Sequence, residues 1–244
     1  RSQSTGNGRP GRETAVDAPV SPRVPENCRV YAIGDIHGRA DLLGRLHGQI
    51  LDDAKTAPDL RKVVVYVGDY IDRGPDSFDV IDGLIERPLE GFERHTLKGN
   101  HEDMMMAFLE TGTHGETWIM NGGRNTLDSY GIGLWDSLSD LRDLQKARDK
   151  LRQAIPESHW KFLTGLEMHH TEGDYLFVHA GLKPGVVPED QNENDMIWIR
   201  DQEHGKPLAV GWARMSAEEM VAESGGKAVG TIHWIGDELW ELEM

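Results

Sequence analysis

The sequence predicts an α/β fold, and three observations carry the prediction. Three short apolar runs, CRVYAI (28–33), RKVVVYV (61–67) and ERHTL (93–97), have the length of strands and are bounded by turn residues. Each ends in a compact turn: Gly34–Asp35–Ile36–His37–Gly38, Gly68–Asp69–Tyr70–Ile71–Asp72–Arg73–Gly74, and Gly99–Asn100–His101–Glu102. A helical pattern follows each turn, at the roughly 30-residue repeat of a strand–helix–strand unit. Turns so spaced gather at the carboxyl ends of neighbouring parallel strands, where open α/β sheets bind their ligands.

The remaining elements follow in order. Residues 1–27 are rich in Arg, Ser, Gly and Pro without apolar periodicity, and are expected to be a disordered leader to a single domain at 28–244. Leu42, Leu43, Leu46 and Ile50 are spaced for a helix over 39–55. A second helix is expected at 77–86, stopped by Pro88. A third starts at the Gly99–Glu102 turn, and its Met104, Met105 and Met106 read as core packing rather than as ligands. Residues 111–135 form a Gly- and Asn-rich insertion holding Trp118 and Trp135; it is long for a connector and is expected to be a lid or a substrate-contacting loop. A charged amphipathic helix at 137–155 is followed by one opened by Pro156. Residues 166–182 predict a β-hairpin turning at Glu172–Gly173–Asp174, with His179 at the end of its second strand. Met196, Ile197, Trp198 and Ile199 read as an apolar strand before Arg200, and the final GDELWELEM alternates like a closing strand.

Composition narrows the function. The formal charge of −16 argues against a nucleic-acid-binding surface, which needs clustered Lys and Arg. An acidic protein still binds phosphate where metal ions and a few arginines reverse the field. The single cysteine, Cys28, fits a reducing compartment, so a cytoplasmic protein is expected. No apolar run reaches the roughly 18–20 residues that span a membrane. The chain starts at Arg1, which leaves open a removed leader.

The turns carry the chemistry. Asp35 and His37 alternate with Ile36, so both side chains point to one side of an extended turn, as two ligands of one hard or borderline ion. Asp69, with two carboxylate oxygens, is placed to bridge to a second ion, which Asn100 and His179 complete. Two ions about 3.5–4 Å apart clamp a phosphoryl group and activate water. Arg73 and Arg200 are candidates for the phosphate oxygens, His101 for the general acid, and Asp72 for the carboxylate that orients His101 and raises its pKa. His95, His169 and His170 have no motif around them and read as structural.

At these residues the sequence resembles the phosphoprotein phosphatase family of Ser/Thr phosphatases, within the calcineurin-like metallophosphoesterases. The signatures read GDIHG (34–38), GDYIDRG (68–74), GNHE (99–102) and HAG (179–181), and the resemblance spans roughly residues 28–200. It is similar to the small bacterial branch, which includes diadenosine tetraphosphatase-like enzymes. The resemblance implies a β-sandwich flanked by helices, a four-layer α-β-β-α arrangement. It also implies two divalent ions, Mn in the first place with Fe or Zn as alternatives. Asp35, His37 and Asp69 would hold one ion, and Asp69, Asn100 and His179 the other. Arg73, His101 and Arg200, with Asn100, would contact phosphate. The implied reaction is hydrolysis of a phosphoprotein or small phosphate ester by direct attack of metal-bound hydroxide, without a phosphoenzyme. Hydrolysis of dinucleoside polyphosphates such as diadenosine tetraphosphate is the alternative. Lys98 stands where many relatives carry Arg, keeping the charge but not the fork.

One departure bears on activity. The family expects a Gly–His–Thr motif about thirty residues after HAG, and this chain has Gly211–Trp212–Ala213–Arg214. Indole offers no lone pair to a metal, so Trp212 is not a ligand. The readings this leaves are weakened metal binding, replacement by His233 or His204, an inactive phosphate-binding relative, or a frame change after about residue 207.

Overall fold

The structure, a computed structural model, describes residues 23–133, 141–183 and 186–200, and the backbone of strands at 212–214, 231–234 and 240–243. Residues 1–22, His204 and the segments between the last three strands lie outside the described residues.

Its centre is a parallel three-stranded sheet in the order β1 (Cys28–Ile33), β2 (Arg61–Tyr66), β3 (Glu93–Thr96). The middle strand is apolar on both faces because both are covered. Val63, Val65 and Val67 point one way, into a cluster with Cys28, Leu97 and Phe177, while Val64 and Tyr66 point the other way, under the helices. Crossovers are made by α1 (Ala40–Ala54) and α2 (Ser77–Glu86), and α3 (Asn100–Thr111) leaves the third turn, all within two residues of the expected bounds. Met104, Met105 and Met106 are buried in the helical core, as their reading required.

The second sheet is antiparallel, β4 (His169–Glu172), β5 (Tyr175–Val178), β6 (Trp212–Arg214). Phe177 on β5 packs against the inner face of the first sheet, so helices, parallel sheet and antiparallel sheet form three successive layers. This is the mixed α/β arrangement expected; the fourth, outer helical layer is not among the described elements. Residues 23–27, the end of the expected leader, are tied to the β4–β5 turn by two bonds: Arg23 N donates to the Asp174 carboxylate at 2.9 Å, and Asp174 N donates to the Arg23 carbonyl at 3.0 Å. The closing alternation is a hairpin, β7 (Thr231–Trp234) with β8 (Trp240–Glu243).

Two expectations need correction. The insertion at 111–135 is mostly helical, with α4 (Gly115–Trp118), a π turn at Ile119–Gly123 and α5 (Arg124–Ser129), and Trp118 is fully buried rather than on a lid. Trp135 lies outside the described residues. The run Met196–Ile199 is not a strand: α8 spans Glu193–Trp198, because Asn192 caps its start by accepting from Asn194 N at 2.8 Å. The two helices expected between the insertion and the hairpin are α6 (Leu141–Ala154) and α7 (Glu157–Thr164); residues 137–140 of the first expected helix lie outside the described residues.

Candidate active site

The three turns leave β1, β2 and β3 at the same end, and His179 leaves β5 beside them. Gly68 makes this crowding possible: its φ is +103°, and a Cβ there would sit 2.6 Å from the Gly99 nitrogen and 3.0 Å from His179 Nδ1. His37, Asp69, Asp72 and Arg73 also have positive φ. Left-handed backbone costs a non-glycine residue about 1–3 kcal/mol, so the surroundings must hold these turns in place.

Asp69 is the centre of the site. Its Oδ1 lies 3.6 Å from His179 Nε2 and its Oδ2 lies 3.7 Å from His37 Nε2, which lies 3.7 Å from Asp35 Oδ2. One carboxylate oxygen therefore faces each half of the cluster. Two groups of potential ligands share Asp69: His37 with His101, and Asp35 with His179. Both candidate ligand histidines, His37 and His179, are fixed from behind. His37 Nδ1 donates to the Ile71 carbonyl at 2.9 Å and His179 Nδ1 to the Val67 carbonyl at 2.8 Å. That tautomer leaves the Nε2 lone pair pointing inward, the backing metal-bound histidines have. His179 Nε2 then faces the Asn100 amide oxygen, another acceptor, at 2.9 Å. The two atoms are close enough together to serve one ion from the same side. The donor set, three imidazole, carboxylate and amide types without thiolate, fits first-row divalent ions.

Beside this cluster stands a buried acid–base pair. His101 Nδ1 and Asp72 Oδ2 are 2.6 Å apart, with His101 1% and Asp72 0% exposed. Burial alone would push the imidazole down, but the bond to Asp72 and the charges of Asp69, Asp72 and Glu102 carry it above the ordinary histidine value. Arg73 reaches the mouth of the site, Nη1 at 2.8 Å from His37 Nε2 and Nη2 at 3.1 Å from His101 Nε2.

Sequence reasoning missed three parts of the support. Glu102 is fully buried and accepts from Asp69 N (2.9 Å), Tyr70 N (2.8 Å), Ile71 N (3.3 Å) and Gly99 N (3.0 Å), stitching the second turn to the third. Burial and the Asp69 carboxylate push it up to about 7, against those donors. A Glu at the third position of a helix is a capping signal legible in the sequence. Trp118 Nε1 donates to Asp72 at 2.8 and 3.1 Å, and Thr126 Oγ1 donates to Asp72 Oδ1 at 2.6 Å. Nothing in the sequence marks these two. Gly122, at φ +109°, lets its carbonyl accept from Arg73 N at 3.3 Å; a Cβ there would lie 2.7 Å from that nitrogen.

The cluster thus contains Asp35, His37, Asp69, Asp72, Arg73, Asn100, His101 and His179. Among the described residues no hydrogen bond or ion pair links Arg200 to it; Arg200 Nη1 donates to the carbonyl of its neighbour Ile199 at 2.9 Å, just past the end of α8. Trp212 is the first residue of β6 and pairs with Phe177, two residues before His179. His233 belongs to the β7–β8 hairpin, which pairs with neither larger sheet among the described residues.

Similarity to known proteins agrees with this geometry. The pattern described as calcineurin-like phosphoesterase matches residues 28–241. Serine/threonine-protein phosphatase 2 of Escherichia coli is 39% identical over 177 residues, 71% of this chain and 68% of that one. An asymmetrical bis(5'-nucleosyl)-tetraphosphatase of Oceanobacillus iheyensis is 24% identical over 197 residues, 76% of this chain and 72% of that one. An uncharacterized protein of Methanocaldococcus jannaschii is 38% identical over 64 residues, where this chain spans 40% of its length. No described helix is long and apolar enough to cross a membrane. The match over residues 28–241, with four turn motifs converging on one cluster, places the chain in the calcineurin-like phosphoesterase family, a class of metal-using phosphate-ester hydrolases.

Proposed function

We propose that the chain is a dinuclear phosphomonoesterase whose substrate is phosphoserine or phosphothreonine in protein. The sharing of Asp69 between two histidine groups whose tautomers are fixed by backbone carbonyls is the observation that supports it most. Asp35, His37 and Asp69 would hold one ion, and Asp69, Asn100 and His179 the other. Such ions supply the Lewis acidity that neutralises a phosphoryl group and activates water. Manganese is our first assignment, with iron or zinc compatible with the same donors.

The chain's own groups complete the reaction. Arg73 at the mouth binds phosphate oxygens through its guanidinium fork. Water attacks phosphorus opposite the ester oxygen, and the phosphorus–ester bond breaks with its electron pair on the ester oxygen. His101 delivers a proton to that oxygen, and the water's second proton stays on the phosphate product until it passes to solvent or back to His101. Asp72 keeps the His101 ring oriented and charged for that transfer. Arg200 has no role in this proposal. The single cysteine supports a cytoplasmic setting.

The relation to the nucleosyl-tetraphosphatase favours a second reading, hydrolysis of dinucleoside polyphosphates. The experiment is turnover of p-nitrophenyl phosphate, a phosphothreonine peptide and diadenosine tetraphosphate, with and without Mn²⁺. We expect Mn²⁺-dependent hydrolysis of the first two and its loss in Asp69→Asn. Cleavage of the dinucleotide alone would select the second reading. No turnover with any substrate would overturn both and identify a phosphate-binding relative disabled at Trp212.

A further inference from the structure

A second group of histidines and carboxylates lies where the chain leaves one sheet for the other. His95 pairs with Val65 across β2 and β3, so its ring is on the face that meets the antiparallel sheet. Glu167, after α7, bridges in parallel to Leu97; its nitrogen donates to the Thr96 carbonyl at 2.9 Å, and Lys98 N donates to its carbonyl at 2.8 Å. Three residues on, His170 of β4 stacks on His95, with ring centroids 3.4 Å apart and planes 20° from parallel. One donor atom from each of the three lies within 4.8 Å of the others.

The charge at this corner is unbalanced. Glu93 and Glu167 approach the two nitrogens of His95 at 3.2 Å each, and Glu172 lies 3.7 Å from His170 Nε2. Arg61 pairs with Glu93 at 2.7 Å and Glu172 at 2.5 Å, which leaves Glu167 without a Lys or Arg partner among the described residues. Three carboxylates thus face one guanidinium. His170 Nε2 is buried and has no hydrogen-bond partner. Burial and the neighbouring His95 hold the His170 ring below the ordinary value.

From these contacts we infer that His95, Glu167 and His170 bind one borderline divalent transition-metal ion, zinc foremost, in a structural site joining the two sheets. Two imidazoles and a carboxylate match zinc, whereas calcium and magnesium require oxygen donors. Zinc–nitrogen bonds of about 2.0–2.1 Å require the donor atoms to close in and the rings to splay. Glu167 can follow, since its side chain is 43% exposed. The ion would supply the positive charge that the corner lacks and a ligand for the buried His170 nitrogen. It would also tie β3, which leads into the Gly99 turn, to the hairpin that presents His179. Hydrogen bonding of the His95 ring to Glu93 and Glu167 without an ion is the competing arrangement.

Metal counting separates the two. The full chain is stripped with chelator, reloaded with Zn²⁺ and desalted, and zinc per chain is measured for wild type, His95→Gln, His170→Gln and Glu167→Gln. The active-site ligands are the same in all four proteins, so their zinc cancels in the difference. We expect both histidine variants to carry one ion fewer at unchanged circular dichroism, and Glu167→Gln to release one ion to a competing chelator sooner than wild type. Equal counts in wild type and the histidine variants would overturn the site. If the histidine variants fail to fold, Glu167→Gln decides alone, and wild-type zinc retention there would overturn it.

Discussion

The two histidine–carboxylate clusters use the same residue types and are built differently. In the candidate active-site cluster the rings of His37 and His179 are fixed from behind by backbone carbonyls, and the turns at His37, Asp69, Asp72 and Arg73 hold a strained backbone. At the sheet corner the rings stack on one another, His170 also on Phe177, and their nitrogens face side-chain carboxylates, two of them on Glu93 and Glu167, which are about half exposed. A ring held by backbone keeps one tautomer and one direction, as chemistry on a bound phosphate requires. A ring held by flexible side chains can adjust to a cation without being set for a reaction. The difference teaches that preorganisation, more than residue identity, separates a reaction site from a structural one.

The comparison can be broken most severely at Asp72. It accepts from His101, Trp118 and Thr126 and is buried completely. Asp72→Asn keeps the shape but loses the charge that sustains the His101 proton, so turnover should fall about 10²–10⁴-fold, the range of a general acid, with KM changed far less. Steady-state kinetics on a phosphopeptide measure this. Turnover within a few-fold of wild type would remove His101 from the acid role.

A smaller effect is expected one step further out. Trp118→Phe keeps most of the buried ring volume and removes the N–H donor to Asp72. Leaving that carboxylate short of one donor should cost about 1–3 kcal/mol of stability in denaturant titration. Trp118→Ala would add a cavity and cost more. If Trp118→Phe unfolds at the wild-type midpoint, the insertion does not brace the Asp72–Arg73 turn.

The boundary between what was legible and what was not follows contact distance along the chain. The three strands, their turns and the first helices are written in contiguous residues, so periodicity and turn chemistry locate them. Asp35, His37, Asp69, His101 and His179 were legible because each sits in a turn at a strand end. Trp118 was not, since its partner Asp72 is 46 residues away. Nor was the corner cluster, where His95 and Glu167 are 72 residues apart. The segment Met196–Ile199 was misread for a different reason: four apolar residues in a row fit strand or helix equally, and Asn192 with acidic Glu193 and Asp195 was the capping signal that decides it. In residues 115–129 the glycines suggested a loop, yet Gly122 is a single left-handed kink within helical turns. Arg200 followed from its motif alone, and its described bond is to the neighbouring Ile199 carbonyl.

The smallest effect tests how burial acts on a histidine with and without carboxylates. His47 lies in the helical layer, its Nε2 2.8 Å from the Tyr66 hydroxyl, and burial alone pushes it below the ordinary value of 6.5. His101 is also buried, yet Asp72 and Asp69 carry it the other way. For His47 the unfolded chain takes up its proton first as the solution is acidified. Its contribution to stability is therefore complete above 6.5 and is lost as pH falls through that value toward the folded pKa. The melting temperature of the metal-loaded protein should decline between about pH 7.5 and about pH 5.5, and His47→Gln should flatten part of that decline. An unchanged slope in the variant would mean that His47 is hydrated enough to titrate as it does in the unfolded chain. Burial would then not separate it from the histidines of the catalytic cluster, and their carboxylate partners alone would account for the contrast.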